Sequence, residues 1–274
     1  MTAKARTGVP RFEEVTETTG TAVSAEGASM MYTRYHVAGE LARGKRVLEV
    51  ACGSGQGLGI VAHAAAQLVA GDVSRPLLRA ARAHYGSRVP LARLSAEGLP
   101  FADATFDLIL CFEASYYIPH MDETFREIAR VLTARGTALF VNANPERPDF
   151  IRSPHSVQYH TADQFRAALE RVGLMVTVEG AFPLEGGSRG LGSRLAGRSM
   201  FLARRALEAL GLVPRTLRGR TRLKRIVHGR LREIPPEVPD GFGRLAPRVP
   251  LLPGPVTGYK VIYVTGRKGG GRSA

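Results

Sequence analysis

The sequence predicts an α/β fold: a mostly parallel sheet of seven strands with helices on both faces, an antiparallel last strand, and a helical insertion between strands six and seven. Two observations support this fold class. Short apolar runs alternate with helix-length amphipathic segments, which is the pattern of βαβ units. About eighty residues then separate the sixth apolar run from the seventh, which is far longer than an ordinary connection and indicates an inserted subdomain.

The predicted elements follow one another along the chain with short turns between them. The strands are expected at 46–50, 68–70, 90–93, 106–111, 137–141, 174–179 and 258–265. The helices are expected from near 28 to 44, from the first glycine-rich turn to 66, after Ser74, over 122–132, and after Thr161. Ser74 with Pro76 in the next turn is a typical helix start, and Thr161 with Gln164 has the spacing of a capping box.

Composition fits one globular domain with an elaboration. The chain has 274 residues, of which 44% are apolar and 23% are charged. We expect a flexible arm or lid at 1–28, an α/β domain at 29–183 and 256–267, a basic insertion at 184–255 that roofs the cleft, and a disordered tail at 268–274. The insertion should be helical at 194–210 and irregular in its Pro-rich part, 234–255. The short basic N-terminus lacks an apolar segment, which predicts a cytoplasmic protein.

The net charge of +14 is concentrated in the insertion. Thirteen Arg or Lys lie between Arg189 and Arg232 against one acid, Glu208, which gives this segment +12. Such a field attracts phosphates, acidic glycans, nucleic acid or an anionic membrane surface. The alternative is a solvated basic face, because 33 of the 38 basic residues are Arg, a bias that GC-rich coding also produces.

The cysteine and histidine content predicts neither a disulfide nor a metal site. Cys52 and Cys111 both fall at apolar strand ends, where we expect them to be reduced and buried. Two lone cysteines and scattered histidines also lack metal-ligand spacing, so no metal is expected.

The first predicted strand leads into a glycine-rich turn and then a helix, an arrangement that presents backbone N–H groups to a ligand. Gly53 and Gly55 lie in the turn, Glu49 ends the strand, and Asp72 ends the second strand. A carboxylate at that second position suits the ribose hydroxyls of an adenosine ligand. No third glycine is placed for a pyrophosphate, and the charge of Glu49 suits an ammonium or sulfonium better than a phosphate. The pattern therefore favours an aminoacyl nucleoside over a dinucleotide.

Five segments, in this order and spacing, resemble the class I S-adenosylmethionine-dependent methyltransferases. They are Val-Leu-Glu-Val-Ala-Cys-Gly-Ser-Gly (47–55), Gly-Asp-Val-Ser (71–74), Ser-Ala-Glu-Gly-Leu-Pro-Phe (95–101), Phe-Asp-Leu-Ile-Leu-Cys (106–111) and Arg-Glu-Ile-Ala-Arg-Val-Leu (126–132). The resemblance covers about 30–182 and 258–266. It implies a Rossmann-like fold and S-adenosylmethionine as the cofactor, with S-adenosylhomocysteine as the product.

The resemblance also implies which residues hold the cofactor. By position, Glu49, Gly53 and Gly55 would border the methionine moiety of the cofactor. Asp72 would hold its ribose, Val73 would pack on its adenine, and the edge of the adenine would be followed by Ser95, Ala96 and Glu97. The other residues expected to line the cofactor are Tyr35, Ala51, Ser54, Cys111 and Phe112. Two residues depart from the family pattern. Ala51 replaces its usual first glycine, which costs little if the backbone angles there are ordinary. Ser95 stands where an Asp commonly receives the adenine amino group.

The substrate side is expected to begin after the fourth strand. A histidine near its working pKa suits proton removal from an acceptor, so His120, His155 and His160 are candidate bases, with Tyr117 and Glu113 as positioning groups. Asn142 and Asn144 are expected to face the same crevice. The alternatives stay open: the histidines are ordinary loop residues, Tyr116 and Tyr117 pack in the core, or the transfer uses no base.

Two stretches, 31–35 and 154–160, together with the basic insertion, resemble methyltransferases of bacterial glycan and secondary-metabolite clusters. This predicts methyl transfer to an oxygen or nitrogen of a small molecule, either sugar-containing or another secondary metabolite. The acceptor could be anionic, for example a nucleotide-sugar diphosphate held by the insertion arginines Arg204, Arg205, Arg218, Arg220 and Arg222. Peripheral contact with an anionic membrane surface stays open, as does the oligomeric state.

Two other functions compete with this prediction. The basic face could serve an RNA methyltransferase, but aromatic residues are only 7% with no Trp, and no Asn-Pro-Pro-Tyr-like tetrapeptide follows the fourth strand, so nucleic acid is not the expected partner. The chain could instead be a catalytically silent scaffold that keeps the fold and binds a partner through its insertion.

Overall fold

The computed structural model describes residues 12, 18–184 and 231–269. Its strands are β1 (Ala22–Val23), β2 (Arg46–Val50), β3 (Gln67–Asp72), β4 (Leu91–Arg93), β5 (Phe106–Phe112), β6 (Leu132–Ala143), β7 (Leu174–Pro183), β8 (Arg232–Glu233), β9 (Arg248–Pro250) and β10 (Tyr259–Lys268). Its helices are α1 (Ala25–Ala42), α2 (Leu58–Ala64), α3 (Arg75–Tyr85), α4 (Met121–Val131) and α5 (Ala162–Arg171), with a 3₁₀ turn at Ser115–Tyr117.

The central sheet follows the order β4-β3-β2-β5-β6-β10-β7-β9. The first five of these strands run parallel to one another, and β10 pairs antiparallel with both β6 and β7. The mostly parallel sheet with an antiparallel last strand is therefore confirmed. Because parallel strands share one carboxyl edge, the loops that follow β2, β3, β4, β5 and β6 all collect there.

Apolar side chains cover both faces of the sheet, as predicted. Val47, Leu108 and Leu139 pack in a cluster with α1 and α2. Leu48, Ile109 and Phe140 face the opposite cluster, with α4 and α5. Central strands that are buried on both faces read as continuous apolar runs, which is why β2 and β5 were visible in the sequence.

The sheet has eight strands, one more than predicted. The additional strand, β9, pairs antiparallel with β7 at the sheet edge and lies in the Pro-rich stretch that was expected to be irregular. Pro250 is tolerated there because an edge strand leaves some N–H groups without a strand partner.

Several element ends also differ from the prediction. Helix α1 begins at Ala25 rather than near Ala28, since the Ser24 side chain accepts a hydrogen bond from Gly27 N and caps it. Strand β6 begins at Leu132, directly after α4, instead of at Thr137. The capped starts at Ser74 and Thr161 are confirmed, the latter as a complete capping box with Gln164.

The chain after residue 230 packs against the wall of the α/β domain. Ile234, Val238 and Phe242 are buried with the α1 and α2 cluster, and β8 pairs with β1. Val238 N donates to Gln56 O at 2.7 Å. Glu237 binds Arg88, just after α3, at 2.9 Å and also contacts His84 in the last turn of α3. This part of the predicted insertion therefore supports the loop after β2 and the end of α3.

Several predictions fall on residues outside the described part of the chain. These are most of the arm at 1–28, the helix at 194–210, the five insertion arginines and the tail from 270 onward. The first residue of the predicted tail, Lys268, is the last residue of strand β10. No helix among the described residues has the length and hydropathy needed to cross a bilayer.

Candidate cofactor and acceptor site

The loop after β2 has the backbone shape of a ligand cradle. Gly53 and Gly55 have positive φ angles of 58° and 80°, and Ala51 has a φ of 55°. The left-handed region costs a residue with a Cβ roughly 1–2 kcal/mol, so Ala51 does not have the ordinary angles under which its substitution for glycine would cost little. The loop therefore stores strain where the chain comes closest to the crevice.

Asp72 connects this loop to the end of β3. Its Oδ2 accepts from Gly53 N and its Oδ1 accepts from Ser74 N, both at 2.8 Å. The side chain is 6% exposed and lines the cavity described below. Two backbone donors thus fix the orientation of the carboxylate at the edge of the cavity.

Glu49 is a buried carboxylate behind the loop. Its Oε1 accepts from Tyr35 Oη at 2.8 Å, whereas its Oε2 is buried with no hydrogen-bond partner. Burial raises the pKa of Glu49 to about 7, against the opposing effects of the Tyr35 hydrogen bond and the Arg34 charge. A cation bound nearby would favour the ionised form.

Tyr35 separates Glu49 from the cavity. Its ring packs edge-on against Phe112 at 5.3 Å between centroids. It also lies directly over Gly57, where an added Cβ would stand 2.1 Å from the ring. Burial, followed by the charge of Glu49, raises the pKa of Tyr35 well above its ordinary value, so the hydroxyl stays protonated and donates.

A cavity of about 410 Å³ runs along the carboxyl edge of the sheet. The predicted cofactor residues that line it are Tyr35, Ala51, Gly53, Asp72, Val73, Ser95, Ala96, Glu97 and Phe112. The structure places Glu49, Ser54, Gly55 and Cys111 outside the lining; Cys52 and Cys111 are both buried as free thiols. Glu49 faces Tyr35, and Cys111 packs in the cluster with α4 and α5.

The end of the cavity at β3 and β4 offers an apolar surface and a hydrogen-bonded loop. Val73 lines the cavity yet is 42% exposed, so its side chain is available to a flat ligand. Ser95 Oγ donates to Glu97 Oε2 at 3.1 Å and accepts from Glu97 N at 3.2 Å. Glu97 Oε1 accepts from His120 N at 2.9 Å. The Ser95 hydroxyl thus makes its hydrogen bonds to Glu97, within its own loop.

The other end of the cavity, beyond β5, is aromatic. Glu113 has a φ of 49°, and its carboxylate accepts from Tyr116 Oη at 2.9 Å. Tyr117 hydrogen-bonds Ser153, and the ring of Phe12 packs edge-on against it. Burial raises the pKa of Tyr117 to about 12, so its hydroxyl is a donor rather than a base at neutral pH. Both Glu113 and Tyr117 line the cavity, and their role as positioning groups stays a prediction.

The three candidate histidine bases do not line this cavity. His120 is exposed at the start of α4, and His155 is exposed in a loop. His160 packs against Phe125 and Phe165, and burial lowers its pKa.

Neither predicted asparagine lines the cavity either. Asn142 is buried and accepts from Ser115 Oγ. Asn144 Nδ2 donates to the carbonyl oxygens of Val256 and Tyr259, so it ties the end of β6 to the start of β10.

Sequence reasoning missed a set of residues that the structure brings to the cavity. They are Phe12, Gly27, Met30, Arg34, Cys52, Gln56, Leu77, Leu94, Ala114, Ile118, Pro119, Ala143, Arg147, Ser153, Lys260 and Val261, with Tyr116 expected only as a neighbour of Tyr117. Gly27, Met30 and Arg34 share one face of α1, a helical spacing that the sequence does contain. Arg147 and Lys260 belong to no motif and give no such signal.

The described residues fit an aminoacyl nucleoside. Asp72 is oriented for a diol, Val73 offers an apolar face, and the orphaned oxygen of Glu49 adds negative potential behind Tyr35. No group of three or more His, Cys, Asp or Glu that could hold a metal occurs in the described ranges. The fold and the site together define an α/β protein that binds a nucleoside cofactor at the carboxyl edge of its sheet.

Comparison with known proteins finds a methyltransferase-like region. A family described as a methyltransferase domain matches residues 48–140, from β2 to β6. This part of the chain is similar to S-adenosylmethionine-dependent methyltransferases, which implies S-adenosylmethionine as the cofactor.

Curated relatives match part of the chain, over 105 to 118 residues. Phthiotriol/phenolphthiotriol dimycocerosates methyltransferase 1 of Mycobacterium ulcerans is 36% identical over 42% of this chain and 43% of its own length. The fatty-acid O-methyltransferase of Mycolicibacterium smegmatis is 35% identical over 37% and 38%, and methyltransferase GfsG of Streptomyces halstedii is 34% identical over 41% and 42%. The chain thus spans about two fifths of the length of these relatives.

Solved structures share the fold at low sequence identity. The [4+2]-cyclase SpnF has a TM-score of 0.57 at 19% identity, covering 94% of this chain and 89% of its own. YcgJ of Bacillus subtilis has a TM-score of 0.54 at 17% identity, covering 88% and 99%. Because a cyclase is among these proteins, the fold alone does not specify the reaction.

Proposed function

We propose that this protein transfers a methyl group from S-adenosylmethionine to an oxygen or nitrogen of a small molecule, either a lipid-like or sugar-containing compound or another secondary metabolite. The observation that carries this proposal is the single cavity that joins the anchored Asp72 to the aromatic wall beyond β5. Its volume of about 410 Å³ lies within the usual range of small-molecule sites, roughly 300–1,000 Å³, and so favours a small acceptor over a polymer.

The relatives support the same class of acceptor. Their names include a fatty-acid O-methyltransferase and a methyltransferase of dimycocerosates. The matches span about two fifths of each chain, so they support a class of acceptor and not a particular substrate.

The residues of the chain have separate roles in this proposal. Asp72 would hold the ribose of the cofactor, Val73 would contact its adenine, and Ala51 and Phe112 would line the remainder of its site. When bound, the cofactor supplies an electrophilic methyl group. Tyr117 and Glu113 orient the acceptor in line with it, which is the main catalytic contribution that positioning can make.

The experiment is calorimetric titration of S-adenosylmethionine into wild type and Asp72→Asn. The amide keeps the shape of the carboxylate but loses its charge and one acceptor, so we expect affinity to fall about tenfold or more. Asp122→Asn is the matched control, since Asp122 is an exposed residue of α4 paired loosely with Arg171. Affinity that is equal in Asp72→Asn and wild type would remove Asp72 from the site, and absence of binding to wild type would remove the proposed function.

A further inference from the structure

We infer that the acceptor carries a carboxylate on an apolar body, and that Arg147 and Lys260 bind that carboxylate. This inference rests on the proposed function and names the substrate class of the same cavity. The observation behind it is a difference in charge between the two ends of the cavity. The acids Asp72 and Glu97 lie at the β3 and β4 end. The other end holds one lining acid, Glu113, and three cations, Arg34, Arg147 and Lys260, so positive charge is in excess there.

The sheet order separates these two ends. Strands β3 and β6 are three spacings apart, which is about 14 Å. Asn144 N donates to Lys260 O at 2.9 Å, so the loop that carries Arg147 begins beside Lys260. A cofactor whose ribose lies on Asp72 therefore leaves the basic end for the acceptor.

Arg147 has donors to offer. Its side chain is 20% exposed and its Nε is buried with no hydrogen-bond partner. This Nε forms a long ion pair with Asp149 Oδ1 at 3.5 Å, and neither atom makes a hydrogen bond. A buried donor without a partner is costly, and a bound carboxylate would satisfy it in the two-pronged geometry that a guanidinium prefers.

Lys260 is held in place from outside the cavity. Its Nζ binds Glu26 Oε1 at 2.6 Å, and the side chain is 18% exposed. Glu26 does not line the cavity. Since an ammonium has three donors, this pair fixes the lysine while leaving donors for a ligand.

The other cation at this end, Arg34, is directed to the protein. It lies over the ring of Tyr35 at 5.7 Å, and its charge lowers the pKa of Glu49. Arg34 thus balances the charge of the buried Glu49 carboxylate. We therefore expect Arg147 and Lys260, and not Arg34, to bind the carboxylate of an acceptor.

The groups around the cavity suit an acceptor that is already ionised. No histidine lines it among the described residues, and the lining carboxylates of Asp72, Glu97 and Glu113 each accept hydrogen bonds from the protein. An alcohol or ammonium acceptor must lose a proton, whereas a carboxylate attacks as it stands. Its oxygen forms a C–O bond to the methyl carbon, the C–S bond breaks, and sulfur keeps the electron pair. The products are a methyl ester and a neutral thioether, with no proton transferred.

The rest of the acceptor should be apolar. Phe12, Met30, Ile118 and Val261 line the cavity together with the rings of Tyr116 and Tyr117. Such a wall favours an alkyl chain or an aromatic ring and leaves the carboxylate as the main polar contact.

The test compares acids with their uncharged amides. Decanoate and cinnamate, with decanamide and cinnamamide, are titrated calorimetrically into full-length protein saturated with S-adenosylhomocysteine. We expect each acid to bind about tenfold or more tightly than its amide, because a charged pair adds strongly to a hydrogen bond in a shielded site. Arg147→Gln should abolish this preference, Arg147→Lys should keep part of it, and Lys260→Met should reduce it. Arg171→Gln, an exposed arginine of α5, should leave it unchanged.

Turnover gives a second readout. With methyl-labelled S-adenosylmethionine, label transferred to decanoate or cinnamate should be released as methanol by mild alkali, as expected of an ester. Acids that bind no better than their amides, or a preference that survives in Arg147→Gln, would overturn the inference. If S-adenosylhomocysteine binds while acids are not preferred, only the inference fails; if it does not bind, the proposed function fails as well.

Discussion

Glu49 shows how one buried residue makes the site depend on pH. Because burial raises its pKa to about 7, the folded protein holds a proton on Glu49 that the unfolded chain releases near pH 4.5. The folded state therefore binds more protons between these values, and the contribution of Glu49 to stability falls as the pH rises from about 4.5 through 7. Above this window the buried carboxylate is charged at the expense of stability.

Glu49→Gln should remove this pH dependence. The free energy of unfolding of the variant, relative to wild type, should improve by about 3 kcal/mol between pH 5 and pH 8, since each unit of pKa shift corresponds to about 1.4 kcal/mol. Urea denaturation at the two pH values measures it. Glu170→Gln, an exposed residue of α5, is the control. A gap between variant and wild type that stays constant with pH would show that Glu49 keeps an ordinary pKa.

Single residues also show what the sequence could and could not reveal. Gly53 and Asp72 were predictable because they belong to one local βαβ unit, in which sequence order fixes spatial order. Arg147 and Lys260 were not, since they lie 113 positions apart in the numbering and meet only through the antiparallel pairing of β10 with β6. His120 was expected at the site because it follows β5, but its position at the start of α4 turns it to solvent.

At the scale of elements, α1 and α2 meet through the ring of Tyr35 and the bare backbone of Gly57. A Cβ at Gly57 would stand 2.1 Å from the ring, too close for any side chain to be accommodated without displacing it. The ring cannot move freely, because its hydroxyl is bound to Glu49 and its edge packs on Phe112. The contact between the two helices thus also fixes a wall of the cavity.

Gly57→Ala should therefore lower the free energy of unfolding by about 1–3 kcal/mol, the usual cost of overpacking a buried contact. It should also weaken S-adenosylmethionine binding, because Tyr35 lines the cavity. Chemical denaturation and calorimetry measure the two effects. Gly98→Ala is the matched control, since nothing lies within 4 Å of a Cβ at that position. If both variants unfold like wild type, the helix contact is looser than described.

Elements differ in how far local pattern determines them. Helix α3 and helix α5 carry their own caps, so their starts were read correctly. Strand β9 has three residues and ends in Pro250, and only its pairing with β7 makes it a strand. Short edge strands take their conformation from a neighbour rather than from propensity, which is why the stretch looked irregular in the sequence.

For the whole molecule, the sheet divides the protein into a ligand edge and a supporting edge. The carboxyl edge carries the cavity-lining loops with Ala51 and Glu113, whereas the amino edge holds side-chain pairs such as Arg46 with Asp107. Val238, far away in the chain, is bonded to Gln56 at the ligand edge. Binding of the cofactor should therefore stabilise the carboxyl edge of the sheet and the segment after residue 230.

Hydrogen exchange measures this division. At S-adenosylmethionine concentrations of about 100 times the dissociation constant, amides that exchange only when the ligand leaves should slow by about 100-fold, or about 2.7 kcal/mol. We expect this at 51–57, 72–77, 95–97 and Val238. The amino-edge stretches 102–106 and 133–136 should exchange at nearly unchanged rates, because their openings do not release the ligand. Uniform protection would indicate that the cofactor stabilises the domain only globally. Protection confined to the amino edge would place the ligand at the opposite edge of the sheet and would contradict the site described here.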